Sequence, residues 1–250
     1  YQAYAPKIIV YFCATMKKSY FTIGVMCYNE EGSIERVVKN IYEELSDFVN
    51  LQILVVDDGS TDNSVHIVQS MQKDFSNLDL IAKKENEGIG STLKSIYTEG
   101  LGDYIVAVPG DGQFDINELK DFLEFKEGVF VNLYRAENTT YSLFRNGLSL
   151  LNKLINKSLV GLEIKDVNWI LIFRKSDLQS IFPIELKSNI LTSEICAKLV
   201  LKGCSVIESK SKYLPRTSGK SRGASLRIVW KAAKETARLI WVVRRYRWRK

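Results

Sequence analysis

Histidine is almost absent from this 250-residue chain, which has only His66, and its four cysteines, Cys13, Cys27, Cys196 and Cys204, are scattered. That pattern excludes a disulfide framework and a Cys/His metal cluster, and points to a reducing, cytoplasmic setting. No apolar run reaches the ~18 residues that span a bilayer, and residues 8–14 suit only a strand or the end of a truncated segment. No secretory leader is visible after Tyr1, and residues 1–19 are read as an N-terminal lead segment. Acids are nearly missing from residues 216–250, which carry twelve Lys/Arg against Glu235 alone. The net charge of +6 therefore belongs to the tail, and the first 215 residues are slightly acidic. Disorder is excluded as well, because 46% hydrophobic residues suffice for the core of one large α/β domain or two small ones.

What is present is a repeated grammar of apolar run, polar loop and helical periodicity. Residues 21–27 form a short apolar run that stops at Tyr28-Asn29-Glu30-Glu31-Gly32-Ser33, after which Ile34, Val37, Val38, Ile41 and Leu45 recur at helical spacing. Residues 51–56 repeat it, ending in Asp57-Asp58-Gly59-Ser60-Thr61-Asp62 before Val65, Ile67, Val68 and Met71. Residues 78–82 give a third strand, followed by Asn86-Glu87-Gly88-Ile89-Gly90 at a helix start, and residues 104–108 a fourth. Strands alternating with helices at this spacing predict βαβ units and a mostly parallel sheet. Asp57 and Asp58 then stand at a strand end, either to accept hydrogen bonds from a base or ribose or to form a turn with an N-cap. Gly88-Ile89-Gly90 lacks a third glycine and follows the third strand, so it reads as a close-packed helix start beside a cleft rather than a dinucleotide fingerprint.

The fourth strand stops at Pro109-Gly110 and delivers Asp111 and Asp115 within five residues. In open α/β sheets ligands bind outside the carboxyl ends of the strands, where such acids converge.

Taken in order, Tyr28-Asn29-Glu30, Val55-Val56-Asp57-Asp58-Gly59-Ser60, Asn86-Glu87-Gly88-Ile89-Gly90 and Gly110-Asp111-Gly112-Gln113 resemble glycosyltransferase family 2. The later segments Tyr134-Arg135, Phe144-Arg145-Asn146-Gly147, Asp166-Val167-Asn168, Ile172-Phe173-Arg174-Lys175 and Pro215-Arg216-Thr217-Ser218-Gly219-Lys220-Ser221-Arg222-Gly223 are similar to the dolichyl-phosphate mannose synthase and polyprenyl-phosphate sugar synthase branch. The resemblance covers roughly residues 20–240. It implies a GT-A (Rossmann-like) α/β fold, with a mostly parallel sheet flanked by helices over residues 20–215. Residues 216–250 follow as a basic loop and an amphipathic C-terminal helix.

The resemblance also implies an inverting, single-displacement transfer from a nucleoside diphosphate sugar, UDP- or GDP-linked, with Mg²⁺ or Mn²⁺ on the diphosphate. Tyr28, Asn29, Glu30, Asp57, Asp58, Asn86, Gly88 and Gly90 fall where such a family binds the donor nucleotide. The family's Asp-x-Asp is here Pro109-Gly110-Asp111, so the first acid is replaced by proline. Asp111 is the expected metal ligand and in that role a catalytic residue, Gln113 a neutral helper, and Asp115 either a ligand or the N-cap of a helix over residues 116–125. Arg135, Arg145, Arg216, Lys220 and Arg222 suit a lipid-phosphate acceptor and the donor diphosphate, with solvated surface charge as the alternative. If the acceptor is instead a glycan hydroxyl, a base is needed. Asp166, at the start of a strand over 166–174, and Glu194, opening the next helix, either serve as that base or orient an arginine. Trp169 stands where relatives have a small or glycine-containing segment.

In the tail, Leu226, Val229, Trp230, Ala233, Ala237, Ile240 and Trp241 share one side of a helical wheel, with Arg227, Lys231, Lys234, Arg238 and Arg245 beside them. This predicts an amphipathic basic helix that either docks on the sheet domain or lies on the cytoplasmic face of a membrane, as its mixed aromatics and cations suit. No nucleic-acid module accompanies it, so nucleic acid is not an expected partner.

Overall fold

The computed structural model describes residues 18–135, 164–188, 190–215 and 226–248, with the side chains described from 234 in the last segment. Within them, β1 (Tyr20–Cys27), α1 (Ile34–Leu45), β2 (Asn50–Asp57), α2 (Ser64–Met71), β3 (Leu78–Ala82), α3 (Ile89–Glu99) and β4 (Tyr104–Pro109) follow the expected alternation. A 3₁₀ helix (Ile116–Phe122) comes next, then β5 (Val129–Arg135), β6 (Ile170–Arg174), α4 (Lys175–Gln179), α5 (Leu191–Lys202), β7 (Ser205–Ser211) and α6 (Leu226–Trp248).

The strands form one sheet in the order β3-β2-β1-β4-β6-β5-β7. β1 pairs in parallel with β2 and β4, β2 with β3, and β5 with β7, whereas β6 is antiparallel to both of its neighbours. Among the described strands β6 alone is therefore reversed. Its start lies on the same sheet edge as the ends of the other six.

The apolar runs of the first strands follow from burial on both faces. Ile53 and Val55 enter a core with Val25, Ile34, Ile41 and Val68 under α1 and α2, while Leu54 and Val56 enter a second core with Ile96, Leu178 and Ile195 under α3, α4 and α5. Each such side chain, wholly removed from water, contributes about 1.5–3 kcal/mol relative to exposure. The edge strands β3 and β7 are only partly buried, and their sequences are correspondingly more polar.

Three boundaries differ from expectation. The strand expected over 166–174 begins at Ile170, because Asp166 takes a left-handed φ of 38° and the Trp169 amide closes a turn on the Asp166 carbonyl at 3.2 Å. The helix expected over 116–125 is a 3₁₀ helix that ends at Phe122. Over its described side chains the C-terminal helix docks through Leu239, Val242 and Val243, whereas Ala237 of the expected apolar side is exposed and Trp241 is 57% exposed; the side chains of Leu226, Val229, Trp230 and Ala233 lie outside the described residues. Contact with α5 and its neighbours, rather than the strongest apolar stripe, selects the docked face.

Candidate active site

The shared edge gathers three groups of residues. In the first, the loop after β1 is stitched to the loop after β2. Asn29 takes a left-handed φ of 56°, a conformation Asn tolerates better than most residues. Its amide donates to the Ser60 hydroxyl at 2.8 Å and its side-chain oxygen accepts from the Thr61 amide at 2.8 Å. The Glu30 amide donates to Ser64 Oγ at 2.9 Å and the Glu31 amide to Asp62 at 3.1 Å, while Glu31 accepts in return from the Asn63 amide at 3.0 Å. Partial burial pushes the Asp62 carboxyl up, but the Ser64 hydroxyl and amide outweigh it and hold the group below its ordinary value. Burial and the nearby Asp57 carboxylate push the Cys27 thiol well up, so it sits at this rim as an inert apolar group.

Asp57 is 1% exposed, with one oxygen accepting from the Ser60 amide at 2.8 Å and the other from the Ser60 hydroxyl. It thus anchors the turn that was one of the two readings of this tetrapeptide. Asp58, 4% exposed, ties the second loop to the third by accepting from Lys83 Nζ at 3.0 Å, the Glu87 amide at 3.2 Å and the Gly88 amide at 2.8 Å. Lys83 also donates to Ser91 Oγ at 2.9 Å. The sequence reading passed over Lys83, although a lysine directly after a strand that ends on this edge was a signal. Tyr28 and Glu30 are half-buried here and Asn86 is exposed at the mouth. Gly88, at φ 93°, precedes α3, and a Cβ on Gly90 would lie 2.3 Å from the Lys187 carbonyl oxygen, so the helix start is packed directly against backbone.

The second group is the end of β4. The Gly110 amide donates to the Met26 carbonyl at 2.9 Å and Ser33 Oγ to the Gly110 carbonyl at 2.9 Å, fixing the turn that presents Asp111. Asp111 is 7% exposed and one oxygen accepts from the Gln113 amide at 3.0 Å. The Gln113 side chain accepts from Tyr213 Oη at 2.9 Å and donates to the Leu214 carbonyl at 3.4 Å. Gln113 thus ties this turn to the chain after β7. Asp115 accepts from the Asn117 amide at 3.1 Å and caps the 3₁₀ helix. A groove of about 780 Å³, lined by Arg36, Asn40, Glu43, Asp115 and Asn117, opens beside Pro109 and Gly112 on the α1 side, and Asp111 is not in its wall.

The third group comes from β5, β6 and β7. Asp166 grips the Arg135 guanidinium at two points, Nε to Oδ2 at 2.7 Å and Nη2 to Oδ1 at 3.0 Å. That guanidinium lies 5.1 Å from the Trp169 ring centroid and 5.8 Å from that of Tyr213. Trp169 Nε1 donates to Ser211 Oγ at 2.8 Å, and the Trp169 ring meets Phe114 edge-on at 6.1 Å. Trp169 and Tyr213 therefore build this side of the site, and no local motif had marked Tyr213.

Of the two candidate bases, Asp166 orients an arginine. Glu194 is 0% exposed, ion-paired with Lys198 at 2.7 Å, and accepts from the Glu185 amide at 2.9 Å and the Leu186 amide at 2.8 Å. Its base role is corrected: with both oxygens bonded inside the core, it does not reach the edge. Arg145, Arg216, Lys220 and Arg222 lie outside the described residues.

Among the described residues no three His, Cys, Asp or Glu side chains converge as a metal cluster. The donors at the edge are hard oxygens, and Asp111 is the carboxylate nearest the end of β4. That fits Mg²⁺ or Mn²⁺, which draw further ligands from substrate phosphates and water.

Comparison with known proteins agrees with this architecture. In sequence, the chain is 30% identical over 102 residues to the uncharacterized glycosyltransferase MG025 homolog of Mycoplasma pneumoniae, a match covering 40% of this chain and 34% of that protein. The chain thus spans about a third of the length of that relative. In structure, it is similar to glucosyl-3-phosphoglycerate synthase from Mycobacterium tuberculosis in complex with Mn²⁺, UDP-glucose and phosphoglyceric acid. There the TM-score is 0.62 at 13% identity, over 90% of this chain and 79% of that one. The mannosyltransferase PcManGT from Pyrobaculum calidifontis, in complex with GDP-Man and Mn²⁺, gives a TM-score of 0.58 at 17% identity, over 93% and 74%. Residues 22–182 match the profile of glycosyl transferase family 2, and with well over half its length inside that match the chain belongs to this family.

Proposed function

We propose that the chain transfers a sugar with inversion from a UDP- or GDP-sugar to a polyprenyl phosphate or another anionic, membrane-associated acceptor. The observation that carries this reading is the placement of Asp111 between the stitched loops of β1–β3 and the Arg135 cage, all on one sheet edge. The relatives with Mn²⁺ and a nucleotide sugar in their binding sites support the donor class.

The acceptor oxygen attacks the anomeric carbon while the bond from that carbon to the β-phosphate oxygen breaks, and the nucleoside diphosphate leaves with the electron pair. Asp111 and the donor's own phosphates would hold Mg²⁺ or Mn²⁺, whose contribution is to neutralise charge on the departing diphosphate. The donor loops, cross-linked by Asp58, Lys83 and the Asn29–Ser60 pair, provide a rigid wall for the nucleotide. Arg135, presented by Asp166, offers planar cationic contact to a phosphate. A hydroxyl acceptor needs a carboxylate base, but Asp166 is engaged by Arg135 and Glu194 is interred. A phosphate monoester, with its second pKa near 6, is already an anion at neutral pH and needs none.

Calorimetric titration with UDP and GDP, with and without Mn²⁺, followed by turnover of the matching sugar nucleotides, tests the reading. Metal-dependent binding is expected, and Asp111→Ala should lower turnover by about a hundredfold or more, the scale of losing several kcal/mol of charge stabilisation. Tight binding indifferent to metal and to Asp111→Ala, without turnover, would mark a non-catalytic binding scaffold instead.

The membrane part of the reading rests on α6. Lys234, Arg238, Arg244 and Arg247 are exposed, as are Trp241 at 57% and Trp248 at 88%, on a helix whose other side docks through Leu239, Val242 and Val243. Among the described residues no helix is long and apolar enough to cross a membrane, so the association would be interfacial. Co-sedimentation with vesicles containing anionic lipid should be salt-sensitive and weakened by Trp241→Ser with Trp248→Ser. Equal recovery with neutral vesicles and for the double variant would refute it.

A further inference from the structure

We infer that Asn132 and Glu208, remote from Asp111 in sequence, are positioning residues that hold Arg135 in its phosphate-facing pose through the backbone of Lys165. The functional half of this inference rests on the proposed role of Arg135 in acceptor binding. The geometric half does not.

Asp166 grips Arg135 from a left-handed backbone conformation, φ 38°, a region Asp enters more readily than most residues bearing a Cβ but still at a cost, so neighbouring contacts help to hold it there. Those contacts fall on the preceding peptide units. The Lys165 amide donates to Glu208 Oε1 at 2.7 Å, and the Lys165 carbonyl accepts from the Asn132 side-chain amide. Asn132 Nδ2 also faces Glu208 Oε1 at 3.2 Å, so both neighbours of this nitrogen are acceptors, and the amide orientation is forced. Asn132 and Glu208 are register partners on β5 and β7, three positions before Arg135 and Ser211, which pair in the same register. The rigid part of the sheet thus clamps Lys165 on both sides, Asp166 follows, and Asp166 fixes Arg135 between Trp169 and Tyr213.

Asn132 bears the signature of a residue retained for something other than stability. It is 0% exposed in the middle of a strand, and its Oδ1 finds no hydrogen-bond partner among the described residues. A half-satisfied buried amide is unfavourable where an aliphatic side chain of the same size would fit. Its compensation is the grip on Lys165, and side chains that carry function need such support to hold their geometry.

The test uses the full chain labelled with ¹⁵N-arginine, the Arg135 Nε–H signal being assigned with Arg135→Lys, and Asp166→Asn serving as the reference for a released guanidinium. Glu208→Gln and Asn132→Leu should each accelerate exchange of that proton with solvent by about tenfold, the scale on which loss of an outer hydrogen-bonding partner acts. The melting temperature of Asn132→Leu should be unchanged or higher. With farnesyl phosphate as the acceptor probe, both variants should raise KM by a similar factor while the Kd for UDP and GDP stays within about twofold. A native-like Arg135 signal in either folded variant overturns the inference. If the native protein does not use farnesyl phosphate, the acceptor reading fails, and the exchange measurement still decides the role of Asn132 and Glu208.

Discussion

The two halves of the sheet edge are built on different principles. On the β1–β3 side each functional loop is a contiguous stretch of six residues that follows its strand, and neighbouring loops are joined by main-chain donors to side-chain acceptors, as in Asn29–Ser60, Glu30–Ser64 and Gly88–Asp58. On the β5–β7 side the site is assembled from single residues, Arg135, Asp166, Trp169 and Tyr213, held by an ion pair and by cation–π contacts to the two rings. A parallel βαβ arrangement delivers successive loops side by side, so local motifs suffice. A reversed strand brings its beginning to the same edge, so residues before β6 must meet residues after β5 and β7, and no short motif encodes that meeting. Asp111 stands between the two, tied to the second side through Gln113 and Tyr213.

The sharpest test of this contrast is Glu194→Ala. If Glu194 belongs to the scaffold of the β5–β7 side, removing it leaves Lys198 buried and two amides unpaired, and stability should fall by about 3–5 kcal/mol in chemical denaturation. A base at the site would instead lose turnover with the stability retained. Next, Gly90→Ala forces a Cβ against the Lys187 carbonyl, where the segment before α5 meets the start of α3. A loss of about 1–3 kcal/mol is expected, together with weaker nucleotide binding. Unchanged nucleotide affinity would show that the β1–β3 side is insulated from that segment.

A smaller effect is expected for Ser60→Ala, which removes the hydroxyl that accepts from Asn29 and donates to Asp57. About 1 kcal/mol should be lost, with faster amide exchange confined to residues 28–31 and 58–62. Exchange spreading to Arg135 would erase the distinction between the halves. The smallest is a pH effect. Asp62 has a folded value below its ordinary 3.8. Its contribution is therefore fully present above the unfolded value and is lost as pH falls through the lower folded value. Amides of Glu31 and Ser64 should lose protection below about pH 4, an outcome readable by hydrogen exchange.

Much of this was legible in the chain itself. The βαβ order, the four leading strands and the turn at Pro109-Gly110-Asp111 all follow from apolar runs ending in Gly, Asp and Asn, because burial on two faces demands such runs and the loops demand such residues. For Asp57 both a nucleotide contact and a turn were written in the same tetrapeptide, and only the closeness of Ser60 on both oxygens decided for the turn. Glu194 was illegible in another way. A glutamate at a helix start normally faces water, and its burial depends on Lys198 one turn along and on the amides of Glu185 and Leu186 arriving from outside the helix. The docked face of α6 was similarly hidden, since Leu239, Val242 and Val243 form a weaker stripe than the Trp-bearing one and prevail only because they meet the core.

The sequence alone determined the alternation of elements, the family, and the place of Asp111 just after the fourth strand, because these depend on local periodicity and on residues adjacent in the chain. Tertiary structure decided which partner each charged group takes. Arg135 became a presented cation, Asp166 its holder and Glu194 a core residue through contacts between segments dozens of residues apart, where burial and the nearest opposite charge, rather than residue type, fix what a side chain does.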